Sequence, residues 1–446
     1  MSQQFYIKQG STVLVDLNAD PYRVKDGFYP ATPGTLDTSA VERIDVMVVS
    51  STVVEKVRDI ERAFLLAREN TSGPDGVYLH FALNGTETAW RARLLDGTVL
   101  HDSRLYPRYK DGKAAITLVI EREPYWEGAE ASLPLSNHNN SDVTTGVSLH
   151  NCCDVTGSGP TYRDNYVEID GADVDGTEPA PARIEIQNTY NSATGLRDVW
   201  VGHNYRSSMT FQHVLEGENA SYGGTPTSGS TFSNGAYQTF TWSGDAQALI
   251  ARWALDTTFL NAAKGQWFRV LARFASTVGL SGTRVQLKTR WPSGTPLVDV
   301  GLGSDMQLAA GKAIQEIGTI QLPPWLKGQT GLYPIDLCLY AKKAGGGSLA
   351  IDDLVLLPQD GYRFLDAIGT TDYQESLVDD GINQETYLSG WSTPGKIGIV
   401  TGLGTLMLRP GVDQRLVFMH ITEVGSAAID RTIEVTVYYR PRRRTI

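Results

Sequence analysis

Amphipathic helical periodicity is scarce in this chain, and the clearest run is "STVVEKVRDIERAFLLAREN" at 51–70. Val57, Ile60, Phe64 and Ala67 recur there at helical spacing, while Glu55, Lys56, Arg58, Asp59, Glu61 and Arg62 fall mostly on the other side. Thr52 with Glu55 three residues on has the form of a capping box, and Asn70 ahead of "SGPDG" marks the stop. The other core-forming segments read as short strands separated by turns. The chain is therefore predicted to be mainly β, with this helix belonging to one α+β unit. A length of 446 residues is too great for one ordinary core and implies two or three domains.

The helix sits inside a strand-rich unit. In "VERIDVMVVS" (41–50), Ile44, Val46 and Val48 share one face, as in a half-buried strand. After the helix come "VYLHFAL" (77–83), "AWRARLL" (89–95) and "AAITLVIER" (114–122), with Asp96-Gly97 read as a hairpin-type turn. The last strand runs into "EREPYWEG" (121–128), where Pro124 stops it and two aromatics close the unit. Residues 1–130 are thus expected to form one domain, with the helix covering one sheet face.

From about residue 135 the texture changes to short strands among Asn, Ser, Gly and Asp, at 166–170, 182–187 and 197–205. Residues 217–236 read as low-complexity loop. Seven alternating segments follow, from "QTFTWSG" to "GSLAIDDLVLLP", the pattern of a β-sandwich. "DLCLYAKKAGGGSLAIDDLVLL" reads as its final hairpin. After Pro358 four more strands are expected, too few for their own core. They would suit pairing with strands from 140–205. The expected division is 1–130, a split β-sandwich of 131–205 plus 359–446, and an inserted jelly roll at 206–358.

Charge narrows the function. A net charge of −11 argues against a surface that grips phosphate backbones. The one basic run, "YYRPRRRTI" with Arg440, Arg442, Arg443 and Arg444, reads as a solvated tail. Cys152, Cys153 and Cys338 make no disulfide framework, no signal region opens the chain, and no long apolar stretch occurs. Folding in a reducing cytoplasm without membrane insertion is expected.

Catalytic motifs such as G-x-S-x-G, H-E-x-x-H and the P-loop are absent from the sequence, so no catalytic residue is assigned. His138, His150, Cys152, Cys153 and Asp154 have no zinc spacing and read as loop and core residues. Asp170, Asp173 and Asp175 in "IDGADVDG" suit a turn better than a calcium loop. No spacing selects a carboxylate pair for glycoside cleavage. Asp352 and Asp353 in "LAIDDLVLL" pose two alternatives, ligands of a structural calcium or a bulge at a strand end. Five tryptophans lie within 206–358, and most are expected in the core. Trp291 in "TRWPSG" and Trp325 in "LPPWLKG" stand in turn-like contexts and are the candidate pair for stacking on sugar rings.

Residues 41–128, a strand, a capped helix and further strands closing on "ITLVIEREPYWEG", resemble the ring-forming domain of long-tailed bacteriophage tail proteins, nearest to the siphophage distal tail proteins. The resemblance implies a tail-tube-like fold and six copies closing into a ring where the tube meets the tip or baseplate. It also implies an outer β-domain of the galectin-like or carbohydrate-binding kind. "AIDDLVLLP" is similar to the ending of carbohydrate-binding jelly rolls. The expected partners are further copies of the chain, tail tube and tip or hub proteins, and host-surface glycans, with DNA passing an acidic lumen unbound. The alternatives are a carbohydrate-binding adhesion protein, a tube subunit with a large decoration, and a glycan-degrading enzyme.

Overall fold

Strict alternation builds the first sheet. Strand Ala40–Val49 buries Ile44, Val46 and Val48 and turns Val41 and Met47 outward. The computed structural model describes all residues except 1–2, 26–29, 35–37, 71–75, 84–89, 102–110, 155–161, 192, 206–213, 291–304, 325–333, 390–394, 397–399 and 403. The fold is mainly β, as expected. The first sheet runs in the order Thr12–Asp16, Gln3–Gln9, Val77–Leu83, Trp90–His101, Lys113–Arg122, Ala40–Val49, Tyr22–Val24.

Helix Val53–Glu69 packs Val57, Ile60, Phe64 and Ala67 into this core and ends at Asn70, whose N–H donates to the Leu66 carbonyl. The capping box does not form. Thr52 makes no side-chain cap, and its hydroxyl pairs instead with that of Ser50. Asp96-Gly97 is not a turn either. Strand Trp90–His101 pairs with Val77–Leu83 through its first half and with Lys113–Arg122 through its second, with a register break between Leu94 and Asp96. Gly97 lies under the helix, where a Cβ would come within 2.5 Å of the Phe64 ring. The dipeptide turns a sheet corner and admits the helix.

The stop at "PYWEG" has a physical cause. Trp126 is fully buried beneath the Arg122 guanidinium, 4.3 Å from its ring centroid. Arg122 in turn forks onto Glu42, with Nη2 and Nε at 2.6 and 2.8 Å from one carboxylate oxygen. Trp126–Glu127 then pairs with Arg442–Arg443, so the basic run is not a solvated tail. Arg442 binds Glu127 at 2.7 Å, Arg443 binds Asp175 at 2.8 Å and Arg444 binds Glu178 at 2.7 Å. Ile446 packs against the first core. These carboxylates lie far away along the chain, which is why a local view of the run sees only unmatched charge.

Strands before residue 205 interleave with strands after 358. Ala180–Asn188 lies between Ile433–Tyr439 and Ser376–Asp380, and Leu196–Asn204 lies between Gln414–Thr422 and Tyr362–Thr371. Tyr362–Thr371, Ser376–Asp380 and Glu385–Ser389 go beyond the strands expected after Pro358; in Ser376–Asp380 the buried Asp379 and Asp380 break the apolar pattern. Arg363 satisfies Asp379 through two N–H groups at 2.8 and 2.5 Å.

The remaining strands form a six-stranded and a four-stranded sheet around one core. The expected final hairpin is absent. Asp336–Lys342 pairs in the four-stranded sheet and Gly347–Pro358 in the six-stranded one, so the glycine-rich link crosses the sandwich. The stretch read as loop at 217–236 contains strand Thr225–Ser228, paired with Ala236–Trp242. The sandwiches share an apolar seam in which Trp200, Val417, Met419 and Ile421 meet Leu271, Ile314, Val355 and Leu357.

Candidate functional site

Strand Gly347–Pro358 lies beside Trp267–Phe274, where Arg273 faces Asp353 and Phe274 faces Ile351. Asp352 is the extra residue of a bulge, one of the two alternatives raised by its sequence. The bulge separates the two aspartates chemically. Asp353 accepts from Arg273 Nε at 3.0 Å. Asp352 accepts from the Ser233 N–H at 2.9 Å and lies 3.8 Å from Arg273 Nε.

Two further carboxylates come from the chain around Val214–Glu216. The Ser233 hydroxyl donates to Glu216 at 3.0 Å, and the Asn234 side chain donates to Glu218 at 2.7 Å. Glu216 and Glu218 were missed because "LEGEN" carries no spacing rule; only folding brings it to the bulge. Glu216 Oε2, Glu218 Oε2 and Asp353 Oδ1 are buried without a hydrogen-bond partner among the described residues. Burial, then Asp353 and Glu218, pushes the Glu216 carboxyl up to about 9. Burial and the Asp353 charge push Asp352 up to about 8. Arg273 is in ion-pair range of Asp352 and Asp353, Glu216 and Glu218 lie in the same cluster, and near neutral pH the cluster retains protons.

All-oxygen donors with orphaned atoms have the chemistry a hard cation such as calcium requires. The geometry falls short of a closed cage: among the described residues, no group of three or more His, Cys, Asp or Glu is placed to hold a metal ion. Of the aspartate pair expected to hold calcium, Asp353 is already committed to Arg273 and Asp352 accepts from the Ser233 N–H.

Trp291 and Trp325 lie outside the described residues. Trp253 is buried and donates from Nε1 to the Glu216 carbonyl at 2.8 Å. Trp267, expected in the core with most of the others, is 39% exposed. In the aspartate turn, Asp170 accepts from the Ala172 N–H at 2.8 Å, and Asp175 accepts from the Gly176 N–H at 2.7 Å. His138 stacks on Tyr162, while Cys152 and Cys153 are buried free thiols whose ionisation burial opposes.

The acids give a signed pH prediction. A carboxyl raised in the folded state contributes fully below its ordinary value near 4, and that contribution is lost as pH rises through the folded value. Melting temperature in a chelator should therefore fall between pH 5 and about 9. Glu216→Gln should flatten the fall. A melting profile identical in the two proteins would show that Glu216 carries no such shift.

No protein-family model and no curated protein matches the chain. Among solved structures, chains of the phage P2 baseplate in its activated conformation with Ca and with Sr are 11% and 10% identical, at TM-score 0.25. Each alignment covers 77% of this chain and 99% of the other. The xylan-binding module CBM15 is 12% identical at TM-score 0.17, over 39% of this chain and 95% of the module. A chain of infectious bursal disease virus, Gt strain, is 8% identical at TM-score 0.18, over 70% and 81%. At these TM-scores the likenesses say nothing about function.

Proposed function

We propose that this chain is a structural protein of a long-tailed phage tail, forming a hexameric ring at the distal tail or baseplate. Its first sheet joins copies and links the tube to the tip or hub, while the later sandwiches face outward to neighbours or host-surface glycans. The observation that carries this is the open edge of Ala40–Val49. Tyr22–Val24 pairs only with Val46, Met47 and Val48, so Val41–Ile44 have no strand partner on that side among the described residues. Val41 there is 51% exposed. An unpaired edge is suited to continuation by a second copy. The net charge of −11 suits a lumen through which DNA slides unbound.

In this reading the chain is a virion component without catalysis. A second reading, a carbohydrate-binding adhesion protein, is favoured by the exposed Trp267 ring. Electron-microscopic class averages of the full chain separate the two. The expected result is sixfold rings that Val41→Asp disperses without altering the circular dichroism of the protomer. A monomer at every concentration would overturn the ring.

A further inference from the structure

The two sandwiches meet around a cleft of about 460 Å³, with contributions from both. Phe232, Thr277 and the Asp352 bulge line it from one sandwich, and Val424 and Ser426 from the other. Its walls are fixed to each other. Arg273, 2% exposed, reaches across with Nη1 2.8 Å from the Ala427 carbonyl and Nη2 against the Asn151 carbonyl. The Ala313 N–H donates to the Gly425 carbonyl at 2.8 Å. A Cβ at Gly425 would come within 2.0 Å of the Gly311 carbonyl oxygen, so only glycine lets this hairpin seat so closely.

The lining is chemically selective. The hydroxyls of Thr277 and Ser426 make no hydrogen bond among the described residues, and each can donate and accept. The Phe232 ring and the Val424 side chain supply apolar surface beside them. The floor opposes an anion, because the N–H groups of Arg273 point to Asp353, Asn151 and Ala427 while the neighbouring side chains are acidic. Free hydroxyls, aromatic surface and no available cation match a ligand that is rich in hydroxyls, has an apolar ring face and carries no charge. The volume falls within the range of small-molecule sites.

We propose that this cleft binds a neutral saccharide unit, with its hydroxyls exchanging hydrogen bonds with Thr277 and Ser426 and its C–H face against Phe232. The proposal rests on the reading that the outer sandwiches contact glycans, and it moves the contact from the tryptophans to the junction. The site exists only while both sandwiches are docked.

Saturation-transfer NMR on the full chain, with glucose, galactose and N-acetylglucosamine up to about 50 mM, tests it, since one sugar ring is expected to bind at about millimolar affinity. At least one sugar should receive transfer that saturates. Val424 is 65% exposed, so Val424→Trp should leave the fold intact while filling the mouth and weakening binding at least about tenfold. Thr277→Val should weaken it severalfold. No transfer to any of the three sugars, or transfer that both substitutions leave unchanged, overturns the proposal. Ring formation is read separately by microscopy, so loss of the ring reading and loss of the saccharide site remain distinct results.

Discussion

Replacing Arg273 by methionine is expected to destabilise the protein by about 3–5 kcal/mol, the usual cost of removing one partner from a buried ion pair. Methionine supplies similar bulk, so the loss comes from charge and hydrogen bonding rather than a cavity. Asp353 would keep a buried charge without a counterion, and the Asn151 and Ala427 carbonyls would lose their donors. The cost should shrink as pH falls, because protonation of Asp353 removes the charge that the lost guanidinium had balanced. Arg273→Lys, which keeps the charge and loses the fork, should fall between. Denaturant unfolding at pH 5 and pH 8 reads all three proteins. Equal stability of Arg273→Met and wild type at pH 8 would mean that the guanidinium does not hold the two sandwiches together.

Removing residues 441–446 is expected to be comparably severe. Burial works against the charge of Glu127, but Arg442 and Arg91 more than offset it and hold the carboxyl below its ordinary range. A depressed carboxyl stabilises above its ordinary value, and that contribution is lost as pH falls through the folded value. Arg442→Ala alone should cost about 2–3 kcal/mol at neutral pH, less than full rupture of a buried pair because Arg91 remains. The truncation also loses the pairing of Trp126–Glu127, the salt bridges to Asp175 and Glu178, and the packing of Ile446. Hydrogen exchange locates the effect. The Gly128, Thr177 and Glu178 amides, which donate to Pro441 and Arg442 carbonyls, should lose protection first. Unchanged protection there would mean that the terminal segment adds little to these contacts.

Legibility from sequence followed the range of the interactions involved. The helix and the strands around it were visible because their periodicity is local, and Ile44, Val46, Val48, Phe64 and Ala67 are buried as read. Side-chain roles set at long range were hidden. Asp96-Gly97 has turn chemistry, but the approach of Phe64 gives it a corner instead. Arg442 reads as tail until Glu127 is beside it, and Glu216 as a loop residue until the bulge at Asp352 arrives. The aspartate pair was noticed for its chemistry, but its division, one acid to Arg273 and one to Ser233, depends on a register shift between strands.

The pairing of Glu127 with Arg442 spans 315 residues, and that distance is also a delay. At the usual synthesis rate of about 5–20 residues per second, the partner of Trp126–Glu127 is made roughly 15–60 s after the strand itself. For that interval the nascent first sheet has an unpaired edge at Trp126–Glu127 and an acid at Glu127 without its Arg442 counterion. Its closure is timed by synthesis of the intervening chain rather than by the intrinsic folding rate of the sheet.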